Sequence, residues 1–98
     1  MNSIETANMH DLTGFQRDLL FIVGGYSEPA GVTIKDDVEE YYGKEVQYGR
    51  LYPNLDTLID KGLVEKGKKD GRTNSYLITN RGRREVQARL DWMDKYYD

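Results

Sequence analysis

The chain has 98 residues, a net charge of −3 at neutral pH, 38% hydrophobic residues and no cysteine. This length predicts one compact domain with a small core, and the lack of thiols excludes disulfides, thiolate metal sites and thiol redox sensing. No apolar run approaches the roughly 20 residues of a membrane span, and the start of the chain, with Glu5 and Asp11, does not match a signal peptide. The composition therefore predicts a cytoplasmic protein that uses neither a membrane nor a cofactor.

The charge is distributed unevenly along the chain. Residues 1–45 hold nine acids and three bases, residues 46–84 hold nine bases and four acids, and residues 85–98 hold four acids and two bases. The middle segment carries +5 within an acidic protein, and a local positive field attracts phosphates whatever the net charge is. The alternative is an ordinary solvated cluster of cations.

Two helices are predicted after a polar, flexible segment at residues 1–12. Thr13 followed by Gln16 is a capping-box pattern, which opens a first helix over about 14–25. Thr33 opens a second helix over about 34–42, and Gly43 ends it. The apolar spacing predicts these inward-facing residues: Phe15, Leu19, Ile22, Val23 and Tyr26 in the first helix, and Ile34, Val38, Tyr41 and Tyr42 in the second.

A third helix is predicted over about 47–61, with an apolar edge of Leu51, Leu55, Leu58 and Ile59. The residues predicted to lie opposite this edge are Gln47, Arg50, Asn54 and Thr57. Arginine can bind guanine O6 and N7, asparagine can bind adenine N6 and N7, and a helix fits the major groove, roughly 12 Å wide. Gln47 and Tyr48 lie at the start of the helix, where recognition helices contact bases and phosphates. On periodicity alone, an ordinary amphipathic surface helix is the alternative.

A hairpin is predicted next, with strands at about 63–66 and 75–79. Its tip contains an Asp-Gly turn signal and three cations, Lys68, Lys69 and Arg72. Cations on an exposed loop suit a phosphate backbone or a minor groove, although charged turns are also common as solubilising features.

The last helix is predicted to begin at Thr79 or Asn80 and to reach about Tyr97. One apolar edge is formed by Val86, Leu90, Met93 and Tyr97, and Trp92 and Tyr96 form a second, aromatic edge. A single small core can bury one edge, so the first edge is predicted to bind a second copy of the chain. The alternative is that both edges pack on the first helix.

Catalytic and metal sites are not indicated. The single histidine, His10, has no neighbouring cysteine or histidine and is interpreted as a solvated side chain. Asp36, Asp37, Glu39 and Glu40 lack the pattern of a cation-binding loop and are interpreted as the wet face of the second helix. The sequence therefore predicts a protein that binds DNA and is not an enzyme.

Two segments carry a family resemblance. Residues 49–64 resemble the G-x-L-Y-P-x-L-x-x-L-x-x-x-G-L-V signature of PadR-like transcriptional regulators. Residues 72–82 resemble that family's R-x-x-Y-x-I/L-T-x-x-G segment, with one more residue between the arginine and the tyrosine. Residues 12–20 are similar to haloarchaeal members, and the resemblance covers about residues 13–97.

The resemblance implies a mainly α fold with a small β-hairpin. A winged helix-turn-helix domain at 13–79 would be followed by a C-terminal dimerisation helix at 80–98, without an extended C-terminal domain. It also implies a homodimeric repressor that binds double-stranded DNA at a near-palindromic operator and responds to a small-molecule effector of unknown identity. The competing hypothesis is a winged-helix module for protein–protein contact without direct DNA contact.

Overall fold

The computed structural model describes residues 9–68, 71 and 73–97. Within them, three helices, a hairpin and a last helix follow one another in the predicted order, and a 3-10 turn that was not predicted precedes them. Their bounds are Met9–Asp11 for the turn, Gly14–Gly24 for α1, Gly31–Tyr42 for α2, Tyr48–Asp60 for α3, Val64–Lys68 for β1, Asn74–Ile78 for β2 and Asn80–Asp94 for α4. The predicted fold class, a mainly α winged helix-turn-helix with a small hairpin, is confirmed.

Helix α1 begins with the predicted capping box. The Gln16 amide donates to the Thr13 hydroxyl at 3.1 Å, and the Thr13 amide donates to the Gln16 side chain at 3.1 Å. These two amides have no carbonyl partner within the helix, so the reciprocal bonds satisfy them.

Helix α2 begins earlier than predicted, at Gly31, and Thr33 is not its cap. The N-cap residue is Ala30, whose carbonyl accepts the Thr33 amide at 3.1 Å. Ala30 also forms a β-bridge with Ser75 of β2, which fixes the extended backbone from which the helix starts. A tertiary contact therefore sets this boundary. The other end is as predicted, because Gly43 takes the left-handed conformation at φ +72°.

Helix α3 buries the three leucines of its predicted apolar edge completely, since Leu51, Leu55 and Leu58 are each 0% exposed. Full burial of one such side chain contributes about 1.5–3 kcal/mol. The fourth residue of that edge, Ile59, is half-buried against the core. After the helix, Gly62 has φ +76°, and the Leu63 amide donates to the Leu58 carbonyl at 3.0 Å. This Schellman arrangement turns the chain sharply into β1.

Strands β1 and β2 pair antiparallel, from Val64 opposite Ile78 to Lys68 opposite Asn74. Helix α4 follows directly and is three residues shorter than predicted. Its cap is the predicted Thr79, whose hydroxyl accepts the Gly82 amide at 3.0 Å.

One hydrophobic core joins all these elements. Its buried members are Met9, Leu12, Phe15, Leu19, Leu20, Val23, Ile34, Val38, Val46, Leu51, Leu55, Leu58, Leu63, Val64, Tyr76 and Ile78.

The predicted flexible segment at residues 1–12 is wrong for residues 9–12, and residues 1–8 lie outside the described residues. Met9 and Leu12 are 5% and 4% exposed. The Met9 carbonyl accepts the Arg17 side chain at 3.1 Å, and the Met9 amide donates to the Glu85 carboxylate at 3.4 Å. The 3-10 turn therefore brings the side chains of Met9 and Leu12 into the core. The sequence did not predict this burial, because the residues around these two are polar.

Two tyrosines that were predicted to face inward lie outside the core. Tyr26 follows the end of α1 and is 42% exposed, and Tyr41 is 79% exposed. Adjacent helical residues diverge by about 100°, so Tyr41 faces solvent when Tyr42 faces α1. The Tyr42 hydroxyl donates to Asp18 at 2.7 Å. Burial, together with this bond, raises the pKa of Tyr42 to about 12.

Candidate nucleic-acid interface

The amino end of α3 is exposed at Gln47, Tyr48, Gly49 and Arg50. Gln47 is the N-cap residue and its side chain makes no capping hydrogen bond. The first amides of a helix have no partner within it, and they carry a partial positive charge. This end of α3 is therefore chemically suited to phosphate oxygens, and the predicted residues Gln47 and Tyr48 lie there.

The outermost line of α3 differs from the predicted one. Gly49, Pro53 and Asp56 lie farthest from the leucine edge and are exposed. Arg50 and Asn54 lie to one side of this line, and Asn54 is half-buried. The sequence predicted that Arg50 and Asn54 point directly away from the core, but a step of about 100° per residue places them at the border that faces α1.

The first turn of α1 contacts both predicted base-reading residues. The Arg50 guanidinium carbon lies 3.9 Å from the centroid of the Phe15 ring, within the range of a cation–π contact. The Gln16 amide nitrogen donates to Asn54 Oδ1 at 2.9 Å, and Asn54 Nδ2 donates to the Arg50 carbonyl at 2.8 Å. The sequence assigns Gln16 a capping role only, because nothing local shows that it also reaches α3.

The other border of α3 carries a stacked pair of tyrosines. The rings of Tyr48 and Tyr52 lie 5.4 Å apart and are 8° from parallel, and Lys35 Nζ lies 5.2 Å from the Tyr48 centroid. Lys35 also donates to Glu39 at 2.8 Å, which lowers the pKa of Glu39, and the same carboxylate accepts the Val46 amide at 2.8 Å. Glu39 therefore fixes the turn that leads into α3. Tyr52 was not among the predicted site residues.

The cationic tip of the hairpin is described only in part. Lys68 is exposed at the end of β1, whereas Lys69 and Arg72 lie outside the described residues. Gly71 has φ +85°, a conformation that a turn requires and that glycine adopts without strain.

The base of the hairpin is joined to the loop between α1 and α2. The Ser75 hydroxyl, which is fully buried, donates to the Glu28 carboxylate. The Tyr76 amide donates to the Pro29 carbonyl at 2.9 Å, next to the bridge between Ala30 and Ser75. This loop therefore extends the hairpin by a short third segment.

The start of α4 carries more cations. Arg83 and Arg84 are exposed, and Arg81 is half-buried with its side chain over Gly62. Cations oppose the helix dipole at this position, so their placement favours a role outside the helix itself.

The residues of the predicted dimerisation edge become more exposed along α4. Val86 is half-buried and packs against the core. Leu90 and Met93 are 39% and 38% exposed, and Tyr97, beyond the helix end, is 87% exposed. Val86 therefore belongs largely to the fold of one chain, whereas the other three residues present apolar surface to solvent.

The aromatic edge of α4 lies beside that surface. Trp92 and Tyr96 are 50% and 71% exposed, and their rings lie 5.4 Å apart. Together with Met93 and Tyr97 they line an open groove of about 330 Å³. The Arg89 guanidinium lies 5.1 Å from the Trp92 ring.

Over residues 9–68, 71 and 73–97, no three histidine, aspartate or glutamate side chains come together as a metal site. His10 is exposed and lies 3.3 Å from the Asp11 carboxylate. No helix in that part of the chain has the length and apolar character needed to cross a membrane.

The fold and its exposed α3 define a winged-helix protein. The model of the transcriptional regulator PadR-like family matches residues 19–88, which is most of the chain. The chain therefore belongs to the PadR-like family of transcriptional regulators, a family of regulators and not of enzymes, and the family predicted from residues 49–64 and 72–82 is confirmed.

Solved structures agree with this assignment. The complex structure of hsRosR-S1 is 51% identical with a TM-score of 0.80, over 86% of this chain and 74% of that one. H. salinarum RosR is 50% identical with a TM-score of 0.81, over 89% and 79%. Bacillus subtilis PadR in complex with operator DNA is 21% identical with a TM-score of 0.62, over 78% and 45%, and supports the fold alone. No curated protein matches the chain.

Proposed function

We propose that this chain is a sequence-specific DNA-binding transcriptional regulator that acts in the cytoplasm as a homodimeric repressor on a near-palindromic operator. The observation that carries the proposal is the exposed amino end of α3, with Arg50 and Asn54 beside it. This end lies within the segment 46–84, which holds nine bases and four acids. Its charge and shape both suit a major groove.

The proposed contacts divide into two kinds. Arg50 reads guanine and Asn54 reads adenine, because their forked side chains match those base edges. Gln47 and Tyr48 contact bases or phosphates at the start of the helix. The three cations of the hairpin tip neutralise phosphates, which adds affinity without sequence preference: Lys68, Lys69 and Arg72.

The exposed apolar surface of α4 supports the dimer. A second copy that packs against Leu90, Met93 and Tyr97 would remove this surface from water, and burial of apolar area is favourable by about 25 cal/mol per Å². In such a dimer two α3 helices would enter successive major grooves about 34 Å apart. Membership of the PadR-like family of transcriptional regulators supports DNA as the partner.

A direct binding assay tests the proposal against a protein–protein interaction module. We expect the purified chain to retard duplex DNA from its own upstream region and to lose that binding as salt is raised. Footprinting of the retarded complex would then show two protected half-sites. A chain that retards no duplex at low salt, whatever its sequence, would favour the protein–protein module.

Arg50→Ala is expected to weaken operator binding by about 1–3 kcal/mol. It also removes the contact with the Phe15 ring, which costs about 0.5–1 kcal/mol of stability, so the domain still folds. Titration of labelled operator measures the first effect, and urea unfolding measures the second. Arg50→Lys is the matched control, because it keeps the charge and loses the fork. Unchanged affinity in both folded variants would remove Arg50 from the interface.

The double change Lys68→Ala and Lys69→Ala is expected to lower affinity for operator and unrelated DNA alike. Each phosphate contact contributes about −0.9 to the slope of log K against log salt concentration, so the slope should flatten by roughly two contacts. Binding titrations at several salt concentrations measure it. Lys44→Ala with Lys95→Ala, which removes two exposed lysines outside the hairpin, controls for net charge. An unaltered slope would show that the tip is free in the complex.

A further inference from the structure

Asn54 lies in a chain of hydrogen bonds with a fixed direction. The Thr13 backbone amide donates to Gln16 Oε1 at 3.1 Å, Gln16 Nε2 donates to Asn54 Oδ1 at 2.9 Å, and Asn54 Nδ2 donates to the Arg50 carbonyl at 2.8 Å. This series of hydrogen bonds begins at the backbone amide of Thr13 and ends at the backbone carbonyl of Arg50. Neither side-chain amide can turn over without placing two donors or two acceptors together, so both orientations are set by the backbone.

These hydrogen bonds leave the Asn54 side chain with a defined capacity for further hydrogen bonds. An asparagine side chain accepts two hydrogen bonds at its oxygen and donates two from its nitrogen. Gln16 uses one of the acceptor positions, and the Arg50 carbonyl uses one of the donor positions. Among the residues that the structure describes, one acceptor and one donor position of Asn54 remain unused. Adenine presents the complement in the major groove, a donor at N6 and an acceptor at N7.

We propose that Gln16, on α1, is a positioning residue that sets the base preference of Asn54 on α3. This inference rests on the proposed function. Gln16 need not touch DNA, because it acts by holding the Asn54 amide in the orientation that suits adenine. The first turn of α1 is then part of the recognition apparatus.

Glutamine at position 16 has a capacity that the helix cap alone does not require. A capping box accepts either glutamine or glutamate at its third helical residue, so the cap with Thr13 does not by itself require an amide. Only glutamine supplies an N–H group for Asn54 Oδ1. A carboxylate at position 16 could only accept, and Asn54 would have to turn its nitrogen toward it and its oxygen toward the Arg50 carbonyl.

The experiment measures base preference by selecting from duplexes with a randomised centre, first with the parent chain and then with variants. We expect the parent and Gln16→Glu to unfold at similar temperatures, because the cap is kept. We expect Gln16→Glu to lose preference for adenine at one position in each half-site by about tenfold or more. Gln16→Ala should lose the same preference without the added negative charge, which separates orientation from electrostatic repulsion.

A double-mutant cycle with Asn54→Ala decides the mechanism. If Gln16 acts through Asn54, Gln16→Ala should change base preference in the parent and have no further effect in the Asn54→Ala background. An equal effect in both backgrounds would overturn the inference, as would unchanged preference in Gln16→Ala and Gln16→Glu. A parent chain that selects no sequence would instead overturn the proposed function, so the two failures are distinguishable.

Discussion

Gly82→Ala is expected to lower the free energy of unfolding by about 3 kcal/mol, the upper part of the range for overpacked sites. A Cβ at this position would overlap the Leu63 carbonyl oxygen and lie 2.7 Å from Ile78 Cγ1. The nearest atom belongs to the backbone at the start of the hairpin, so no side-chain rotation relieves the clash. Urea unfolding followed by circular dichroism measures the loss.

Gly49→Ala is the matched control for Gly82→Ala. Gly49 also lies in a helix, but a Cβ added there would meet no atom within 4 Å beyond its two chain neighbours and the backbone of its own helix. Alanine there should stabilise the protein by about 0.4–1 kcal/mol, because it reduces the freedom of the unfolded chain. Equal stability of Gly82→Ala and the parent would contradict the close approach of α4 to the hairpin.

Leu90→Asp is expected to convert the proposed dimer into a folded monomer that no longer binds the operator. Leu90 lies at the rim of a groove between α1 and α4 and is 39% exposed, so a carboxylate there remains hydrated in one chain. In a dimer it would be buried without a partner, at a cost of several kcal/mol. Light scattering at micromolar concentration and operator titration measure the two effects.

Gln87→Glu separates charge from burial in this experiment. It adds one negative charge on the same helix at an exposed position. It also replaces the hydrogen bond that Gln87 Nε2 donates to Asp91 at 2.9 Å by a like-charge pair, which costs about 0.2–0.5 kcal/mol on a helix surface. We expect it to remain dimeric. A parent chain that is monomeric at this concentration would contradict the dimer. Unfolding of Leu90→Asp would place Leu90 in the core of its own chain, and Trp92 and Tyr96 would become the better candidates for the interface.

Local patterns predicted those parts of the fold that local physics determines. The leucine edge of α3, the capping box at Thr13 and the left-handed glycine at 43 follow from periodicity and backbone conformation. Each of these features depends on residues within one or two helical turns. Sequence alone was therefore sufficient for the order of elements and for most of their ends.

The features that sequence did not predict depend on residues far apart in the chain. Helix α2 starts at Gly31 because Ala30 pairs with Ser75. Asn54 is turned toward α1 because Gln16, 38 positions earlier, donates to it. Periodicity shows which face of a helix a side chain lies on, but it does not show which residue of another element contacts that side chain. The candidate DNA-binding residues were therefore predicted without their contacts to α1.

The hydrogen bonds between the loop at 28–30 and β2 affect the order in which the chain folds during synthesis. The Tyr76 amide bonds to the Pro29 carbonyl, and Ala30 pairs with Ser75, so each contact spans more than forty residues. Such contacts form only after a large loop has closed, which slows folding. On the ribosome, α1, α2 and α3 are complete before β2 has been made. The contacts that fix the start of α2 can therefore form only after β2 has been synthesised. The domain reaches its final form only once most of its length has emerged.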